Sequence, residues 1–253
     1  MPNPSARLGT ALLAPIVECR SWSAKHGIHC AQLSGQVLSA PSHLLLTIKL
    51  LHVLLFVYWL GADVGTFYAS RFVADSTLTP AARATAAKIM LGIDIAPRLC
   101  MPLVLGSGVH LASLIGVLPL SGALLAAVWL LCAAWLAMVL AIHHFSPRAV
   151  GLVRFDFVFR IVMVVALVVV AINATAAWLT FKVLCYAATI VCGLMIRVHL
   201  KPFGAAFTAM MAGTGGQAAN ATIASSIARC KPYVIFIWLV LVASAAAGLH
   251  LIF

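Results

Sequence analysis

The stretch Ile48-Lys49-Leu50-Leu51-His52-Val53-Leu54-Leu55-Phe56-Val57-Tyr58-Trp59-Leu60-Gly61-Ala62-Asp63-Val64-Gly65 decides how the chain is read. It is apolar enough to cross a membrane, yet it carries three ionisable side chains, Lys49, His52 and Asp63. At helical spacing Lys49, His52, Phe56, Trp59 and Asp63 fall on one stripe. Ionisable groups are costly in hydrocarbon, so such a stripe is expected to face a bundle interior, a cavity or a cofactor.

The composition agrees. Of 253 residues, 64% are hydrophobic and 8% are charged, against about a quarter charged in soluble domains. That excludes an ordinary water-soluble fold. The formal charge of +11 would suit nucleic acid only if the basic residues shared a folded face. They stand instead between apolar segments, so the expected partner of that charge is anionic lipid, with no role for nucleic acid. The seven cysteines form no C-x-x-C motif. Cys100, Cys132, Cys185 and Cys192 lie in apolar segments and read as small buried thiols, while Cys19 and Cys30 could pair outside the cytoplasm.

Outward from the opening stretch, the sequence predicts an all-α, polytopic transmembrane bundle of about six spans. Residues 1–41 are basic and rich in Ser and Ala, and they lack a continuous apolar core. They read as a mobile N-terminal tail rather than a secretory signal, with a transit-type leader or an overextended start as alternatives. The transmembrane domain is 42–253, with spans at about 43–68, 97–118, 121–144, 156–179, 181–200 and 233–252, each long enough for about 30 Å of hydrocarbon. Gly61 and Gly65 form a G-x-x-x-G pair that permits close helix contact. Residues 81–93 are expected as a short interfacial helix. Pro97 and Pro102 predict a kinked or irregular start to span two, and the Gly/Ala/Ser-rich 203–228 a loop or weak interfacial helix. Basic residues gather at loops one, three and five, which the positive-inside rule places in the cytoplasm, with both termini outside. A multi-pass protein of a bacterial inner membrane is expected.

Depth then relates the histidines. His52 lies about nine residues, or about 13 Å, below the outer end of span one, and His110 about eight residues, or about 12 Å, below that of span two. Beside His110, Gly106, Ser107 and Ser113 share its face and leave room for a flat group. A b-type haem needs axial donors and a slot for the ring, and His52 and His110 are candidates. The plain alternatives are hydrogen bonds to neighbouring groups or another metal. Lys182, at the outer start of span five, is a snorkelling lysine, an anchor for a carboxylate or an axial ligand. At the inner face His143, His144 and His199, with Arg197 and Lys201, form a possible second haem site. Asp94 and Arg98 read as an i,i+4 pair, and Asp63 as a proton relay or a partner for a basic loop. No phosphate-binding loop, dinucleotide fingerprint or hydrolase motif is present.

Lys49-Leu50-Leu51-His52-Val53, Trp59-Leu60-Gly61 and Phe67-Tyr68 resemble the first helix of the HemJ-type protoporphyrinogen oxidases. These share a superfamily with CopD-type copper-resistance membrane proteins. Trp178-Leu179-Thr180-Phe181-Lys182 is similar to the start of a later helix in that group, and Arg229-Cys230-Lys231-Pro232 is a weaker echo. The resemblance covers about a third of the chain. It implies a helical bundle with haem b at His52, a lysine needed for function at Lys182, and oxidation of protoporphyrinogen IX; His110 comes from depth alone. HemJ-type proteins have about four spans, and here two additional helices separate His52 from Lys182.

The leading expectation is therefore a b-type haem protein with a redox role, in porphyrinogen oxidation or in electron transfer to a partner protein. Lys182 and Asp63 are the candidate catalytic groups, and His52, His110, Lys182, Gly106 and Ser107 the candidate cofactor site. The alternatives are copper handling of CopD type, with Met101, Cys100 and Cys192 among the soft donors, and a non-catalytic subunit of a membrane complex. A homo-oligomer is compatible with each.

Overall fold

The computed structural model describes residues 43–145 and 150–252. Expectations for the tail at 1–41 and for Cys19 and Cys30 lie outside them. Contacts divide the chain at Thr47. Of the first unit only His43–Thr47 is described, where Thr47 Oγ1 donates to the His43 carbonyl at 2.7 Å. The second unit, from Ile48 onward, carries the core and the site.

The described residues form seven helices: α1 (His43–Ala74), α2 (Pro80–Leu114), α3 (Gly122–His144), α4 (Val150–Asn173), α5 (Ala177–His199), α6 (Lys201–Met211) and α7 (Gly216–Gly248). All except α6 are long and apolar enough to cross a membrane. The run Ile161-Val162-Met163-Val164-Val165-Ala166-Leu167-Val168-Val169-Val170 shows how environment overrides propensity. Branched residues disfavour helix in water. In lipid no water replaces a lost backbone hydrogen bond, so a lone segment of this composition must be helical. Its exposed Ile161, Val162, Val165 and Val169 suit a hydrocarbon surface.

The start of α5 lies against the end of α7, at Lys182 and Gly248, and the end of α5 meets Tyr233 of α7 through His199, so these two helices are antiparallel. At one end the last turns of α1, the start of α2, α6 and the start of α7 enclose a cluster of Val73, Ala87, Ala206, Met210, Ile223 and Ile227. The main core, around Trp59, Met101, Trp135, Met163, Ile190 and Leu241, runs through the bundle. The helices α1, α2 and α7 have 32, 35 and 33 residues. At 1.5 Å per residue they are about 48–52 Å long, well beyond about 30 Å of hydrocarbon. Their excess forms the second cluster.

Several boundaries differ from expectation. The segment 81–93 and span two are one helix. Thr79 Oγ1 accepts from the Ala82 N–H at 3.3 Å and Pro80 occupies the first turn, which favours initiation there. The helix continues through buried Pro97 and Pro102. Beside Pro102, the Tyr186 hydroxyl donates to the Met101 carbonyl at 2.8 Å, tying α5 to the proline-bearing stretch of α2. Residues 203–228 are helical, divided between α6 and the first part of α7. Gly213 and Gly216, at φ 72° and 51°, make the turn between them in a region that L side chains avoid. Span four begins at Val150, so Asp156 lies inside α4; span five begins at Ala177, so Lys182 is in its second turn.

On α1 the buried stripe is narrower than expected. Trp59 is buried and His52, Phe56 and Asp63 are partly buried, but Lys49 is exposed and leaves the stripe. Of the glycine pair, a side chain on Gly65 would meet Ile93 of α2, whereas Gly61 has open space. In the α1–α2 loop, Asp75 accepts from the Thr77 hydroxyl at 2.7 Å and the Thr77 N–H at 2.9 Å. These hydrogen bonds, the hydroxyl's first, hold its carboxyl below the usual carboxylate value.

Candidate functional site

The two histidines on α1 and α2 sit near one end of the bundle and have different partners. His52 Nδ1 lies 2.8 Å from Ser107 Oγ. Ser107 is fully buried, and its hydroxyl also lies 2.7 Å from the Leu103 carbonyl of its own helix. A hydroxyl has one proton and a carbonyl can only accept. The proton therefore goes to Leu103, and Ser107 Oγ accepts from His52 Nδ1–H. In a neutral ring that leaves the Nε2 lone pair bare, the arrangement in which a second partner orients a metal-binding histidine. Gly108 supplies the space: a Cβ there would lie 3.2 Å from His52 Cε1.

His110 is bonded in the opposite sense. Its Nδ1 accepts from Trp129 Nε1 of α3 at 3.4 Å, with the rings edge to face at 6.2 Å. A neutral His110 accepting at Nδ1 carries its proton on Nε2. The room beside Gly106 is taken by Trp129 and Cys132, which a Cβ would approach to 3.1 and 3.2 Å. Lys182 of α5 belongs to the same end. Its ammonium is within electrostatic reach of His52. It approaches the α7 terminus so closely that a Cβ on Gly248 would lie 2.7 Å from Nζ. The structure thus brings His52, Ser107 and Gly108 together from α1 and α2, with Lys182 of α5 at the same end against Gly248 of α7 and His110 turned to α3.

The other end is richer in charge. Asp63 accepts from Trp238 Nε1 at 3.1 Å. Asp94 and Arg98 form the expected i,i+4 ion pair. A cavity of about 280 Å³ lies among Asp94, Arg98, Val139, Ile142, His143 and Arg197. Of the histidines expected as a second haem site, His143 and His144 lie edge to face with ring centroids 5.7 Å apart. His143 lines this cavity, His144 is exposed, and His199 stacks on Tyr233 with ring centroids 5.4 Å apart. Among the described residues, no three His, Cys, Asp or Glu side chains converge as a metal site.

Behind the cavity lies a group that the sequence reading missed. Asp156 is fully buried and Arg160 nearly so. Arg160 Nε donates to both Asp156 oxygens at 3.1 and 2.9 Å. Its Nη1 lies 3.1 Å from Met101 Sδ, and its Cζ stands 5.2 Å over the Trp135 ring, a cation–π contact. Arg197 Nη1 is 2.6 Å from Asp156 Oδ2, close enough for an ion pair but off the hydrogen-bond axis. The available signal was an acid and an arginine four residues apart in an otherwise apolar span. Starting span four at 156 instead of 150 put that pair at a membrane surface and hid it.

No family model, curated protein or solved structure matches this chain.

Proposed function

We propose that the protein is a multi-pass membrane b-type haem protein with a redox role, in which His52 Nε2 is the axial ligand. The observation that carries this reading is the Ser107 bond to His52 Nδ1, because it commits one ring nitrogen and leaves the other as a lone-pair donor. The donor chemistry fits: one bare imidazole nitrogen for the iron and, within electrostatic reach, one ammonium suited to a propionate. Haem b would supply one-electron chemistry, for porphyrinogen oxidation or for transfer to a partner. His110, with its Nε2 proton, serves as a hydrogen-bond donor beside the site rather than as a second ligand. The copper reading has less support, since Met101 Sδ already faces Arg160 and no three donors converge among the described residues.

The test is an optical spectrum of protein expressed with supplemental haem, oxidised and reduced. A Soret band is expected, falling at least about tenfold in His52→Ala, in line with the loss of a metal ligand. Absence of the band in the wild-type protein, or an unchanged band in the variant, overturns the proposal.

A further inference from the structure

The charged end of the bundle holds a cavity that the haem reading does not use. Its wall carries two guanidiniums, Arg98 from α2 and Arg197 from α5, and one carboxylate, Asp94. Asp94 is committed to Arg98. Among the described residues the only acid paired with Arg197 is Asp156, and both Asp156 oxygens already accept from Arg160 Nε. Three guanidiniums therefore share two carboxylates. Asp63 is within electrostatic reach of Asp94, but it accepts from Trp238 and is not on the cavity wall. His143 at the rim adds no negative charge.

The geometry repeats this imbalance at atomic scale. Arg197 Nη1 is buried against Asp156 Oδ2 at 2.6 Å, in an ion pair without an aligned hydrogen bond. The Arg197 side chain is 25% exposed and shares its carboxylate with Arg160, so its charge is only partly compensated. The space beside it is about 280 Å³, roughly nine waters by volume. That is ample for a compact oxyanion with part of its hydration shell.

We propose that this cavity is an oxyanion-binding site, in which Arg197 and Arg98 hold a phosphate-type group between α2, α3 and α5. The two arginines approach from different helices, so the ligand ties α2 to α5 where His143 closes the rim. The same chemistry is offered by a free phosphate and by the headgroup of an anionic phospholipid. Exposed Lys88, Arg154, Lys201, Arg229 and Lys231 at this end of the helices would concentrate either one.

The experiment uses the full chain purified in uncharged detergent and titrated with inorganic phosphate, with chloride added to hold ionic strength constant. A saturable rise in melting temperature is expected, because a ligand that binds the folded state stabilises it. In Arg197→Gln the apparent phosphate affinity is expected to fall at least about tenfold, or about 1.4 kcal/mol. Arg98→Gln, at a half-exposed side chain, repeats the test if Arg197→Gln does not fold. Native mass spectrometry after extraction from phosphatidylglycerol bilayers separates the sources. Retained phospholipid in the wild type but not in the variants identifies a headgroup, and a phosphate response without it identifies the free ion. A linear, unsaturable response together with no retained phospholipid overturns the proposal, since that is the general effect of phosphate on protein surfaces. Equal responses in wild type and variants overturn it as well.

Discussion

The two ends of the bundle treat ionisable side chains in opposite ways. At the His52 end each polar group has few partners: His52 has Ser107, and His110 has Trp129. At the Asp156 end one carboxylate meets two arginines, and one of those also meets a thioether and an indole. The difference separates two uses of polarity in an apolar bundle. Groups that compensate each other fully hold helices together. A group bonded on one side only keeps its other side for chemistry. The charge cluster belongs to the first kind; on the haem reading proposed above, His52 belongs to the second.

The largest expected effect is at Asp156. Asp156→Asn removes the charge that Arg160 and Arg197 share, and breaking a buried ion pair typically costs about 3–5 kcal/mol. Unfolding by SDS titration in mixed micelles measures it. A loss below about 1 kcal/mol would show that the arginines are solvated and that the two ends do not differ.

At the other end Gly108→Val is expected to cost about 1–3 kcal/mol by overpacking, because the space that Gly108 leaves is occupied by His52. It should also displace the ring and lower haem content, read as Soret absorbance per protein. Ser107→Ala is milder for stability, about 1 kcal/mol for a hydrogen bond. It is expected to weaken haem retention about 10–100-fold, as loss of an orienting partner does at metal sites. If Ser107→Ala lowered stability as much as Asp156→Asn and left the Soret band intact, the contrast between the ends would reverse.

The smallest effect is at Asp75, in the loop at the charged end. Its folded-state value is depressed by the Thr77 bonds. The stability it contributes is therefore present above the ordinary carboxylate value of about 3.9 and is lost as pH falls through the lower folded value. Thr77→Ala should lower stability slightly above that value, neutral pH included, and leave it unchanged at more acid pH, so that the slope across the acid range flattens.

Six apolar spans were legible in the sequence because hydrocarbon imposes a length and forbids unpaired backbone, and both constraints are visible in residue order. Where a helix runs on past the membrane was less legible. Nothing in Ala81–Ile93 or in 203–228 is apolar enough to declare a span, and their helical state comes from packing against each other through Val73, Ala87, Met210 and Ile223. The nearness of His52 and Lys182 to one end was readable from depth and topology. The opposed bonding of His52 and His110 was not, because it depends on which helix each ring faces, and a position differing by one residue along α2 changes the neighbour from α1 to α3. Lys49 failed for the same reason: a stripe drawn at ideal helical spacing says nothing about where packing stops.

Arg83 carries one more consequence. It is almost fully buried; its Nε donates to the Val73 carbonyl at 2.9 Å and its Nη1 to Asn220 Oδ1 at 2.6 Å, 137 residues later in the chain. At about 5–20 residues per second, the ribosome makes Arg83 roughly 7–27 s before Asn220 exists. For that interval the first hairpin holds a guanidinium with half of its final anchorage missing, and water or lipid phosphate must stand in. The arrival of α7 then completes the bond and ties a late-made helix to the first turns of α2.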